Sequence, residues 1–190
     1  MLVDVAVEPA PHLFTVDDYH AMADAGVFAP DARVELIEGA IIEMAPIGPG
    51  HASSVGRLNM VLTAAVAGQA FVWVQSPIAA GVLSEPQPDI AVLRPRDDYY
   101  ARAHARPEEV LLVIEVADSS LAFDRRVKLP MYARSGIAEV WIVDVKGRTI
   151  EVHRRLGADG YTETFVAGPG DVITPLTLTD VAVPVVSVVG

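Results

Sequence analysis

A chain of 190 residues in which 52% of side chains are apolar can build one sizeable hydrophobic core, which argues against intrinsic disorder and for a single domain over 1–190. It contains no cysteine, so a disulfide framework and a thiolate zinc site are both excluded, and a reducing compartment is the default expectation. The net charge of -11 opposes nonspecific binding to polyanions, because phosphates are repelled at long range.

In chain order, Met1 to Ala6 shows no basic region leading into a long apolar stretch, and no later run reaches membrane-spanning length. The expectation is a soluble cytoplasmic protein with no membrane association. Thr15-Val16-Asp17-Asp18 reads as a helix N-cap with acidic residues in the first turn, and Gly26 stops that helix. Arg33 to Glu38 alternates polar and apolar residues, Gly39 permits a tight turn, and Ala40 to Met44 returns, which predicts a hairpin. Pro46, Gly48, Pro49 and Gly50 are expected to break the chain. From His51 to Ala67 the apolar positions recur at helical spacing and predict an amphipathic helix packed on a sheet.

Phe71 to Gln75 and Ile78 to Leu83 read as strands, with Pro77 marking an edge or bend. Ile90 to Leu93 and Val110 to Val116 are the most continuous apolar runs, as expected of strands covered on both faces. Arg94 to Pro107 is a long polar loop whose tyrosines and four arginines make it a candidate substrate-contacting lid. Arg125 to Arg134 predicts a helix that Pro130 bends or begins. A strand over Glu139 to Val145, a turn at Gly147 and a return over Thr149 to Arg154 follow. The tail from 166 to 190, with Tyr161 to Val166 before it, predicts short edge strands that close the structure. Its apolar character also makes it a candidate homodimer interface. The fold class is mixed α/β (α+β), a central mixed sheet flanked by helices with an N-terminal hairpin and C-terminal edge strands.

The chemistry concentrates between Pro88 and Asp144. Asp89 opens one core strand, Glu115 closes in on the end of another, and Lys128 lies on the helix that follows. A carboxylate at the end of a core strand is costly to bury, so it needs a partner, and a divalent cation is a partner that also does chemistry. If the two strands are neighbours, Asp89 and Glu115 converge on one ion, with the backbone carbonyl of Val116 completing an oxygen shell. Lys128 then supplies the positive group near a scissile phosphate. Charge distribution favours this region: residues 94–134 carry eight basic against seven acidic side chains, whereas Arg33 and Arg57 are the basic residues before position 94. Arg94 and Arg125 are accordingly candidate phosphate contacts. Ser119 and Ser120 lack a hydrolase partner set, and glycine-rich phosphate loops are absent, so serine hydrolase and nucleotide triphosphatase readings are set aside.

Pro88-Asp89 followed by Glu115 resembles the PD-(D/E)XK nuclease superfamily. The wider pattern resembles its Uma family of putative restriction endonucleases. The matching pieces are Arg33 to Gly39, Met44-Ala45-Pro46 with His51, Pro88-Asp89, Ile114-Glu115-Val116, Asp124 with Lys128, Tyr132-Ala133, Gly136-Ile137, Glu139-Val140-Trp141 and Val143-Asp144, spanning about residues 12–165. The resemblance implies a restriction-endonuclease-like core, magnesium or manganese dependence, cleavage of DNA, and Asp89 and Glu115 as metal ligands. The superfamily lysine would stand two residues after Glu115, where this chain has Ala117; Lys128 matches a lysine migrated onto the next helix. The resemblance also makes Glu35 and Glu38 candidate acidic site residues from an early element. His51 becomes a candidate phosphate contact or base, and Tyr132 a candidate hydrogen-bonding residue near the site. His12, His20, His104 and His153 show no metal-ligand spacing, Trp141 reads as core and Asp144 as a turn residue. The rival reading is a noncatalytic interaction module on the same scaffold.

Overall fold

In a computed structural model of the protein, residues 10–190 are described; the stretch Met1 to Ala6 read above lies outside them. Helix α1 (Val16–Asp24) starts at Thr15, whose hydroxyl accepts from the Asp18 amide while the Asp18 carboxylate accepts from the Thr15 amide. Strands β1 (Val34–Ile37) and β2 (Ala40–Glu43) form the expected antiparallel hairpin, with Ile37 opposite Ala40. Its two turn residues, Glu38 and Gly39, have φ of 49° and 79°. That conformation matches the twist of the strands and favours glycine. A Cβ at Gly39 would also lie 2.5 Å from the Cβ of Leu13. Gly39→Ala is therefore expected to destabilise the fold by more than about 1 kcal/mol in a denaturant titration.

Helix α2 (Pro49–Val66) begins earlier than its periodicity predicts. Pro49 and Gly50 do not break the chain but form its first turn, where the missing proline N–H costs nothing. Its buried stripe, Val55, Leu58, Leu62 and Val66, covers one face of a six-stranded sheet.

That sheet runs in chain order, β3 (Phe71–Val74), β4 (Ile90–Leu93), β5 (Val110–Ala117), β6 (Glu139–Asp144), β7 (Thr149–Gly157) and β8 (Gly160–Ala167). Every neighbouring pair is antiparallel except β5 and β6, so the sheet is mixed. The parallel step is bridged by α3 (Leu121–Phe123), a π-helical turn (Asp124–Lys128) and α4 (Leu129–Ser135), with Pro130 in the first turn of α4. β4 and β5 are buried along their whole length, as their unbroken apolar runs predict. On the face under α2 pack Ile90, Val92, Ile114 and Trp141; on the opposite face Ala91, Val113 and Ile142 meet Met131 and Tyr132 of α4.

Two expectations need correction. Ile78 to Leu83 is not a strand: Ile78 makes one isolated bridge to Ala105, and Gly81, at φ 115°, turns the chain away. The Arg94 to Pro107 loop is not a lid over the candidate site. It leaves the end of β4 away from Asp89 and is tied down by Tyr100, buried beneath the Arg96 guanidinium at 3.9 Å, with its hydroxyl donating to the Arg94 carbonyl. The valine-rich tail forms β9 (Val172–Ile173), β10 (Val183–Pro184) and α5 (Val186–Val189), and its Val181, Val183, Val185 and Val188 are buried in the chain's own core. Those side chains are therefore taken up by the chain's own fold, while Val166, Val172 and Val186 of the same tail are exposed. Among the described residues, no helix is long and apolar enough to cross a membrane.

Candidate active site

The register of β4 against β5 brings the two acids together. Ile90 lies opposite Ile114, so Asp89, one residue before β4, stands across from Glu115 at the same end of the sheet. By the two-residue alternation of strands both belong to the face of Ala91 and Val113. Asp89 Oδ2 accepts from the Val116 amide at 2.8 Å and Oδ1 from Gln75 Nε2 at 3.2 Å, which fixes the carboxylate to the strand beside it. Both acids line a cleft of about 310 Å³.

Lys128 points back into this cleft although no lysine follows Glu115 by two. Within the π-helical turn, Asp124 and Lys128 are the buried residues and both reach the cleft wall. A π turn places four-apart residues on a wider helical circuit, a geometry frequent at functional sites. The Lys128 ammonium donates to Glu115 Oε1 at 3.0 Å and lies 3.0 Å from Glu35 Oε2, which also accepts from the Gln87 amide. Tyr132 donates to Glu115 Oε1 at 2.6 Å. Glu115 Oε2 has no hydrogen-bond partner among the described residues.

Glu35, Asp89, Glu115 and Asp124 are all buried, against the single ammonium of Lys128 and the imidazole of His51. The imbalance shows in the protonation of the cluster. Burial pushes the Glu115 carboxyl up to about 8; Lys128 opposes the shift, and Asp124, Asp89 and Glu35 add to it. Burial likewise raises Asp124, which accepts from Ser120 at 2.7 Å. Burial works against the charge on Lys128, but Glu115 and Glu35 outweigh it and hold the ammonium above the ordinary lysine value. The Asp89 carboxylate raises His51 against the effect of its partial burial.

The cleft thus gathers Asp89, Glu115, Lys128, Glu35, His51 and the backbone of Val116. Three other candidates lie elsewhere. Glu38, in the hairpin turn, pairs with Arg134 at the surface. Arg94 donates to the Glu108 carbonyl at the far end of β4. Arg125 is held by Glu151 of β7, outside the cleft. Tyr132 does hydrogen-bond at the site, as expected: fully buried beneath Glu115, it orients that carboxylate but has no surface to offer a substrate. Two residues not assigned from sequence join the site. Asp124 carried a signal in its four-residue spacing from Lys128, and Arg33, whose Nη1 donates to the Ala45 carbonyl across the cleft wall, in its parity with Glu35. A larger cleft, about 420 Å³, lies beside β8 and includes His153 and Tyr161 but none of the buried carboxylates described above.

Among the described residues, no three His, Asp or Glu side chains already form a metal cage. A magnesium-type site does not require one, since such ions are held by one or two carboxylates with water and phosphate completing the shell. Two observations fit the residues to a divalent cation: the surplus of buried carboxyl groups over basic ones, and the buried Nε2 of His51, which has no hydrogen-bond partner.

A mixed sheet carrying an aspartate and a glutamate on adjacent strands, with a lysine returning from the next helix, defines a protein of the restriction-endonuclease-like class. The Uma2 family, described as "Putative restriction endonuclease", matches residues 16–186, and the chain belongs to it. Its fold is similar to the crystal structure of a putative nuclease belonging to DUF820 from Anabaena variabilis ATCC 29413, with a TM-score of 0.74 and 18% identity over 93% of this chain and 97% of that one. No curated protein matches the chain in sequence.

Proposed function

We propose that this protein is a metal-dependent endonuclease that hydrolyses phosphodiester bonds of DNA in the cytoplasm. The observation that carries the reading is the convergence of Asp89, Glu115 and Lys128, from three separate segments, on one cleft. Membership of the Uma2 family supports it. Asp89, Glu115 and the Val116 carbonyl are the oxygen donors suited to magnesium or manganese, and the cation when bound supplies Lewis-acid stabilisation of charge on the phosphate.

The chain's own residues set the remaining terms. Lys128, restrained by two carboxylates, offers a fixed positive charge whose orientation does not have to be organised during reaction. Glu35 and Tyr132 hold Lys128 and Glu115 in their rotamers, and Arg33 adds positive charge to the wall of the cleft. Four buried carboxyl groups make this cleft a poor surface for a phosphodiester until a cation enters, so productive DNA binding follows cation binding.

Incubation of supercoiled plasmid with the purified chain is expected to give nicked and linear forms in magnesium or manganese and none with a chelator. Cation uptake without any cutting, over a range of DNA substrates, would instead support a noncatalytic module, a reading that the net charge of -11 favours.

A further inference from the structure

His51 stands at the first turn of α2, against the end of the sheet where Asp89 and Val116 lie. Its Nδ1 is 2.9 Å from the Val116 carbonyl oxygen. A carbonyl only accepts, so Nδ1 carries a hydrogen, and the other nitrogen, Nε2, is left to face Asp89. Nε2 lies 2.9 Å from Asp89 Oδ1, yet this buried atom makes no hydrogen bond of ordinary geometry. A histidine that simply paired with an aspartate would straighten this contact. Here a buried ring nitrogen and a carboxylate oxygen sit side by side without an aligned hydrogen bond between them.

We infer that His51 Nε2 is a ligand of the divalent cation, sharing with Asp89 Oδ1 one edge of its coordination shell. The inference rests on the metal-dependent reading above. In an octahedral shell with bonds of about 2.1 Å, neighbouring ligand atoms lie roughly 3 Å apart. The Nε2 to Oδ1 separation of 2.9 Å has that value before any ion enters. The rest of the histidine is arranged as a metal-ligating imidazole usually is, its second nitrogen donating to a backbone carbonyl that fixes ring and tautomer. Asp89 is equally prearranged, with Oδ2 on the Val116 amide and Oδ1 steadied by Gln75. One peptide unit therefore orients both: Val116 accepts from the histidine through its oxygen and donates to the aspartate through its nitrogen. On this assignment the imidazole ring lies between the cation and that carbonyl, so His51 takes the ligand position proposed above for the Val116 oxygen, which stands behind it and orients it. A role as a phosphate contact or free base is less well served, because Nε2 is withdrawn from solvent and faces a carboxylate. Adding an imidazole to an all-oxygen set favours manganese relative to magnesium.

Calorimetric titration of the full chain with Mn²⁺ alone, combined with pulsed electron paramagnetic resonance of the bound ion, tests this. The wild type is expected to show the ¹⁴N coupling of a directly bonded imidazole. His51→Gln should lose that coupling while still binding Mn²⁺ roughly tenfold or more weakly, and should discriminate less between Mn²⁺ and Mg²⁺. Mn²⁺ bound to the wild type without nitrogen coupling would overturn the assignment of His51 and leave the metal-dependent reading standing on Asp89 and Glu115. Failure of the wild type to take up Mn²⁺ at all would overturn both. The wild-type spectrum decides the question even if the variant folds poorly.

Discussion

Asp89→Asn is expected to lower plasmid cleavage by about two to three orders of magnitude, as removal of a group that holds transition-state charge does elsewhere. The asparagine is chosen over alanine for a structural reason. Asp89 Oδ2 accepts from the buried Val116 amide, so alanine would orphan that donor at a cost of about 1–3 kcal/mol and confuse lost chemistry with lost folding. Asparagine keeps an acceptor for Val116, and the Gln75 amide can turn to meet the new donor. What disappears is one of the negative charges and one of the two carboxylates proposed to hold the cation. The melting temperature should move by a few degrees, Mn²⁺ affinity should fall by at least tenfold, and cleavage should fall with it. A variant that cuts within tenfold of the wild type would remove Asp89 from the proposed machinery.

The parts of this fold that could be read from sequence are those where one physical signal dominates. Ile90 to Leu93 and Val110 to Val116 are apolar without interruption because both faces of β4 and β5 are covered. Ile78 to Leu83 was misleading for a related reason: Ile78 and Ala80 are apolar because they pack in the core, and burial alone does not specify ladder pairing. The polar loop after β4 looked like a mobile lid, yet Arg96 folds over Tyr100 and pairs with Asp98, a tertiary arrangement invisible in composition. Motif spacing singled out Asp89, Glu115 and Lys128, which the fold brings to one cleft, but which of Glu35 and Glu38 faces that cleft needed backbone geometry. Glu35 lies in β1 with its side chain turned inward to Lys128, whereas Glu38 lies in the turn at positive φ and points to Arg134. The π turn is likewise unreadable from sequence, because residues four apart share a face in an ordinary α-helix too.

Lys128→Met should retain Mn²⁺ binding while cleavage falls by about two to three orders of magnitude, the cost of removing one preorganised positive group. Methionine fills a similar volume, so the main structural effect is electrostatic. Glu115 and Glu35 are then left buried without their ammonium, which in other buried pairs costs about 3–5 kcal/mol. For a chain of this size that is on the order of 10 °C in melting temperature.

The loss should depend on pH with a definite sign. Glu115 has a folded pKa of about 8 against an ordinary value of 4.5, so the folded state binds its proton more tightly than the unfolded chain. Its contribution to stability is complete below about 4.5 and is lost as pH rises through 8. Lys128 is the influence that lowers this pKa, so its removal raises the folded value further and carries the loss to higher pH. In the absence of cations, the melting temperature of Lys128→Met should therefore fall more steeply between pH 6 and pH 9 than that of the wild type, and Glu115→Gln in the same background should flatten the curve. Parallel pH profiles for the wild type and Lys128→Met would mean that Lys128 does not neutralise Glu115. A single variant thus separates the two roles given to this side chain: the melting profile reports its partnership with Glu115, and the cleavage rate reports its action on the phosphate.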